Sequence, residues 1–290
     1  MGRDKLVTIF KGIAIFMVFV VHYTQPFYLT NLERAIPRLG QMGCQIFFVI
    51  SGYTLCLSLE RKPVDLKRFM CRRLSKIAPG YWTMIIVYFI LGTMSLSIFE
   101  NNIFGTSRDG KDIVINFLLL NGIFSGNANN KVVRGGWFVG TIMIIYILTP
   151  LLFKIFNFDY QWWKKKRIWL FPLIIFIISF VIQVICGNFD ERYICLNNNF
   201  MYFSFINQLP SFCLGFSLYA LSKTRNKLVH YTYIITGVAF GISFFLFFLN
   251  IKYAFVFVPT LFSVGVVCLF KLCQEAADKM GGAAIQNRVV

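Results

Sequence analysis

Residues 10–27 read FKGIAIFMVFVVHYTQPF, an apolar run that carries one lysine and one histidine. Ten uncharged residues separate Lys11 from His22, nine of them apolar and the other a glycine. With its flanks the run reaches the length of about 20 residues that crosses a bilayer core. It is too long for a signal-peptide core and no small-residue cleavage site follows, so it is expected to remain as a first span. An ionisable group inside a span costs on the order of a few kcal/mol and usually faces the bundle interior or a polar cavity. Two such groups in one helix call for a chemical explanation.

The rest of the chain fits the same setting. It has 290 residues, 57% hydrophobic and 14% charged, a balance that soluble domains do not show. Apolar runs recur at about 7–29, 39–59, 79–99, 136–153, 168–188, 203–221, 231–249 and 253–270. The expected fold is all-α, a polytopic transmembrane helical bundle of about eight spans with cytoplasmic N- and C-termini. No polar stretch is long enough for a soluble domain, so residues 1–290 are expected to form a single transmembrane domain. The last two spans are joined at Asn250–Lys252 and should form a hairpin. The apolar patch IVINFLLLNGIF at 113–124 is too short to cross unaided and reads as a re-entrant or interfacial element.

Charge tests this arrangement. With the N-terminus inside, 21 of the 29 lysines and arginines fall on cytoplasmic segments, while the 12 acidic residues divide equally. Of the net charge of +17, +15 is then inside and +2 outside, as the positive-inside rule requires. The basic excess therefore follows topology and calls for anionic lipid headgroups as partner, with no nucleic acid. The eight cysteines show no metal spacing, so no metal is expected. Cys44, Cys56, Cys213, Cys268 and Cys273 lie in or beside spans and read as small apolar packers. Cys186 and Cys195 border a predicted external loop, where a disulfide is compatible with an oxidising exterior.

Eleven helical positions leave Lys11 and His22 only about 20° apart around the axis and about 16 Å apart along it. Lys11 then lies in the first cytoplasmic turns and His22 past the midplane. Snorkelling to headgroups would account for Lys11, and a hydrogen bond to a neighbouring helix would account for His22. Their shared face favours a third reading, one polar track from the cytoplasm to His22. His230, at the boundary of a span, reads as an interfacial anchor. The second span supplies GQMGCQIFFVISGYTL, in which Gln41 and Gln45 share a face and Ser51-Gly52 permits close helix approach. After it comes RKPVDLKRFMCRRLSKIAPGYW, with seven basic residues between Arg61 and Lys76. On a helix Arg72, Arg73 and Lys76 fall within about one turn of each other, a grouping suited to a phosphate-bearing ligand from the cytoplasm.

With these residues in view, the chain resembles the acyltransferase-3 family of integral membrane acyltransferases. Members open with a basic residue, ten residues and a histidine, as in Lys11 to His22. The family block of the kind FFVISGF followed by RR..R..P.YW is similar to Phe47–Tyr53 and then Arg72, Arg73, Lys76, Pro79, Tyr81 and Trp82. The family's Arg-x-x-Arg element falls on Arg73 and Lys76, with lysine in second place. The segment WFVGTIMIIYILTPLLF resembles the family's tryptophan-to-Tyr-x-x-x-Pro stretch through Trp137, Tyr146 and Pro150. Thr8 stands where many members carry aspartate, and Ile142 and Met143 where many carry glutamate. The family closes on further helices, so a chain stopping at ADKMGGAAIQNRVV is expected to be a truncated or divergent member.

The resemblance implies transfer of an acyl group, usually acetyl, from cytoplasmic acyl-CoA to a hydroxyl of a surface carbohydrate or related acceptor. It implies His22 and Lys11 as catalytic candidates and Arg72, Arg73 and Lys76 as the cations that hold the acetyl-CoA donor. His22 would act as general base toward the acceptor hydroxyl or as the nucleophile that carries the acyl group. Gln45, Ser51, Tyr146 or a backbone carbonyl would orient its ring. The competing readings are a transporter or lipid-linked-sugar flippase, and a catalytically silent membrane partner. Matching broken helices in two halves would mark the transporter, and the second half has no counterpart of Lys11 and His22.

Overall fold

The computed structural model describes residues 3–24, 39–61, 66–99, 109–124, 132–158, 169–186, 200–223, 229–249 and 254–286. Its regular elements there are helices: α1 (Arg3–Thr24), α2 (Gly43–Arg61), α3 (Leu66–Phe99), α4 (Gly110–Phe117), α5 (Trp137–Phe158), α6 (Leu170–Cys186), α7 (Phe200–Phe203), α8 (Phe205–Ser222), α9 (Val229–Phe248) and α10 (Ala254–Gln286). No strand occurs among the described residues. Lys5–Thr24, Arg68–Ile98, Tyr231–Phe248 and Val256–Lys279 are long and apolar enough to cross a membrane, and Gly43–Ser58, Trp137–Leu152 and Leu170–Ile185 are shorter apolar helices. The described residues are all-helical, as hydropathy predicts, and four of their helices are long and apolar enough to cross a membrane. The connection at Asn250–Lys252, and Cys195 with any bridge to Cys186, lie outside the described residues.

Three boundaries differ from the expected spans. The third helix begins at Leu66, well before the apolar run, and has 34 residues. Arginine, lysine and leucine are good helix formers, and Arg72 Nε donates to its own helix at Arg68 O, 3.2 Å away. Hydropathy sees only the apolar part of such a rod, which at about 50 Å exceeds the bilayer core of about 30 Å. The last helix likewise runs on to Gln286. The expected sixth span is two pieces, α7 and α8, because the Ser204 hydroxyl accepts the Ile206 N–H at 3.2 Å and starts a new helix there.

Two compact units divide the chain: Met1–Arg61 with Asp159–Ile178 and Pro210–Val290, and Lys62–Phe158 with Ser179–Leu209. In the first unit α10 is the buried centre. Its Phe270 ring lies 4.9 Å from Phe10 of α1 and 5.3 Å from Tyr53 of α2, centre to centre. Helix α9 packs along α10 through Phe240 and Phe262 at 4.9 Å. Gly52 of α2 and Gly215 of α8 face each other so closely that a Cβ on Gly52 would strike the Phe212 carbonyl and one on Gly215 the Val49 carbonyl. The close approach expected of Ser51-Gly52 is thus made against α8. Ile15, Phe16, Phe19, Ile234 and Val238 are exposed, as apolar side chains turned toward lipid would be.

In the second unit α3 and α5 run antiparallel, since Arg73 meets Tyr146 while Tyr81 meets Gly136. The patch at 113–124 is no span. Asp109 caps α4 by accepting the Lys111 N–H at 3.0 Å, the helix ends at Phe117, and Leu119 turns the chain with a left-handed φ of 59°.

Candidate active site

Helix α1 buries Leu6, Phe10, Ala14 and Val21 on one face and exposes Phe16 and Phe19 on the opposite one. Lys11 and His22 are both exposed and lie on one flank between those faces. Because α1 is unbroken from Arg3 to Thr24, they keep the shared direction that their spacing predicts. His22 sits in the last turn of the helix, beside Thr24, whose hydroxyl donates back to Val20 O at 2.8 Å. Both residues belong to the first unit; the basic trio belongs to the second.

Arg72, Arg73 and Lys76 occupy little more than one turn of α3, and the structure treats them differently. Arg72 and Lys76, one turn apart, are exposed. Arg73 is half-buried and turns toward α5, with its guanidinium carbon 4.9 Å from the centre of the Tyr146 ring and 5.3 Å from that of Phe69. Those rings meet edge to face at 5.8 Å and 87°. Among the described residues no carboxylate pairs with any of the three cations. The ion pair those residues do show is Lys271 with Glu275 in α10, at 3.5 Å. An uncompensated group of cations favours a bound anion, and a guanidinium edge fits phosphate oxygens in pairs.

Near the same helix lies a polar cluster that the sequence reading did not single out. The Tyr81 hydroxyl donates to Asn116 Oδ1 at 2.7 Å, and Asn121 Nδ2 donates to Gly136 O at 2.9 Å and to Tyr81 Oη at 3.2 Å. Trp82 Nε1 donates to Phe117 O at 2.9 Å. Asn121 is fully buried, and its Oδ1 has no hydrogen-bond partner among the described residues. That oxygen lies against Gly140, where any Cβ would displace it, and the Tyr81 hydroxyl lies against Gly136 in the same way. The spacing Gly136-x-x-x-Gly140 is the small-residue face that admits such contacts. Two asparagines inside the apolar run at 113–124 were the available signal.

The cluster continues to α7 and the start of α8. Phe205 N–H donates to Gly122 O at 3.2 Å, Thr141 Oγ1 to Phe203 O at 2.8 Å, and Gln183 Nε2 to Asn207 Oδ1 at 3.3 Å. Trp137 packs on Tyr202 and Phe203, at 5.3 and 5.1 Å. These bonds tie α3, α4, α5 and the ends of α6 and α8 into one frame around α3. Among the described residues no group of three or more His, Cys, Asp and Glu side chains converges as metal ligands would.

Comparison with known proteins adds one finding. No curated protein and no solved structure matches the chain. A model of the acyltransferase-3 family, described as an acyltransferase domain, matches residues 6–280, nearly the whole sequence. The motif-by-motif resemblance carried by Lys11–His22, Phe47–Tyr53, Arg72–Trp82 and Trp137–Pro150 lies entirely within that match. The chain belongs to the acyltransferase-3 family of membrane acyltransferases.

Proposed function

We propose that the protein is an acyl-CoA-dependent O-acyltransferase of the cell membrane, moving an acyl group, acetyl in the simplest case, to a hydroxyl of a surface carbohydrate or related acceptor. The observation that carries the donor assignment is the trio Arg72, Arg73 and Lys76, three cations on one helix with no carboxylate partner among the described residues. Phosphate groups of a coenzyme A ester would complete that charge. The topology that goes with this reading has about eight spans and both termini in the cytoplasm, which puts the polar end of α3 on the donor's side.

His22 is the group proposed to act on the acceptor. As base, a ring nitrogen takes the hydroxyl proton as the oxygen attacks the thioester carbonyl. The carbon–sulfur bond then breaks and the coenzyme leaves as thiolate, to be reprotonated. As nucleophile, the nitrogen attacks the thioester carbonyl, the carbon–sulfur bond breaks and the coenzyme leaves as thiolate, giving an acyl-imidazole; the acceptor oxygen then takes the acyl group, the carbon–nitrogen bond breaks, and the hydroxyl proton passes to solvent. The base role contributes on the order of 10²–10⁴-fold in rate. Lys11, on the same flank of α1, is the companion cation at the entry to that helix.

The test is transfer of radiolabelled acetyl from acetyl-CoA in membranes holding the wild type, His22→Ala or Arg73→Ala at equal expression. Loss in both variants is expected. Full transfer by His22→Ala removes that residue from the chemistry. Acceptor translocation without any labelling would instead make the protein a flippase, and no turnover of either kind a silent partner. Acid-quenched, labelled protein that disappears in His22→Ala identifies the nucleophile route.

A further inference from the structure

We propose that Tyr146, together with Phe69, is a positioning residue that holds Arg73 as a pre-aimed phosphate receptor; this rests on the donor site proposed above. Three observations within the second unit carry it. The guanidinium of Arg73 lies over the Tyr146 ring at 4.9 Å and near the Phe69 ring at 5.3 Å. Both rings are buried, 3% and 7% exposed, and each fixes the other through their edge-to-face contact at 5.8 Å. Among the described residues no hydrogen bond or ion pair occupies the N–H edge of Arg73.

A carboxylate would hold an arginine through the same in-plane N–H groups that recognise phosphate, and would cancel its charge. Aromatic faces hold it through its π surface and leave the edge and the charge intact. Burial of the rings makes the platform stiff, so the rotamer freedom of a long side chain is lost before the ligand arrives and not upon binding. Arg72 and Lys76 lack such a platform, since both are exposed and Arg72 Nε already donates to Arg68 O. Within the trio, Arg73 is therefore the directional contact and the other two supply long-range attraction. Tyr146 acts through Arg73 and needs no contact with the donor.

The experiment measures the Kd of coenzyme A for the purified full chain in lipid nanodiscs, with thermal unfolding of each variant recorded alongside. Arg73→Ala and Tyr146→Leu should each weaken binding by about 3- to 30-fold, the range of a desolvated cation–π contact. Tyr146→Phe, which keeps the face, should stay within about 2-fold of wild type. The double variant Tyr146→Leu/Arg73→Ala should bind no more weakly than Arg73→Ala alone, because the ring has no cation left to hold. Phe69→Leu gives a second, milder arm, expected near 3-fold, and replaces Tyr146→Leu if that variant does not fold. If Tyr146→Leu weakens binding by the same factor with and without Arg73, the positioning role is overturned. If Arg73→Ala binds as wild type does, the donor site itself is overturned. A rescue by Tyr146→Phe together with a non-additive double variant supports both.

Discussion

Helices of the first unit meet backbone to backbone and ring to ring, as at Gly52 with Gly215 and at Phe270 between Phe10 and Tyr53. Many of its hydroxyls bond within their own helix: Thr54 to Ile50 O, Ser243 to Ala239 O and Ser263 to Pro259 O. Gln274, which reaches Ser222 O, is one bond there that crosses between helices. In the second unit side-chain amides do the crossing, from Asn121 to Gly136 O and Tyr81, and from Gln183 to Asn207. A hydroxyl that turns back on its own helix satisfies itself in lipid without choosing a neighbour, whereas an amide must find one. Close packing therefore sets helix separation in one unit, and directional bonds set which segment goes where in the other.

Four substitutions break or sharpen that contrast. Gly52→Val should have the largest effect, about 3 kcal/mol of lost stability, because its side chain meets the Phe212 carbonyl and not a yielding side chain; unfolding in mixed micelles would record it. Asn121→Ala comes next at about 2 kcal/mol, since it removes the buried amide that donates to Gly136 O, Tyr81 Oη and Asn116 Oδ1 and leaves a void among them. That loss should appear with faster proteolysis in residues 109–124 if the amide holds the short helix in place. Tyr81→Phe removes one hydroxyl from the same cluster and should cost about 1 kcal/mol, with the ring's packing kept. Phe19→Leu, on the exposed face of α1, should change melting by no more than about 0.5 kcal/mol. If Asn121→Ala proved as mild as Phe19→Leu, the amide cluster would be incidental and the contrast would fall.

Much of this was legible before any coordinates. Apolar runs announced α1, α9 and α10 because lipid demands a full turn of hydrophobic side chains over that length. The spacing of Lys11 and His22 gave their common flank, which needs only a continuous helix. The start of α3 was hidden, since an arginine-rich stretch of helix has no hydropathic mark. Pairings at a distance were hidden too. Tyr146 stood out only as one residue of a motif, and nothing in its neighbours says that its ring receives Arg73 from another helix. Asn116 and Asn121 were visible as polar interruptions of an apolar patch, but their partners Tyr81 and Gly136 are 35 and 15 residues away.

Arg73 and Tyr81 lie on one continuous helix, α3, with Pro79 between them, and this has a mechanical consequence. The bond from the Tyr81 hydroxyl to Asn116 pins the rod's rotation and its height within the unit. A slip of one residue at that pin would swing the arginine by about 100° and slide it about 1.5 Å. The height and bearing of that guanidinium are thus coupled to a side-chain amide about two turns away.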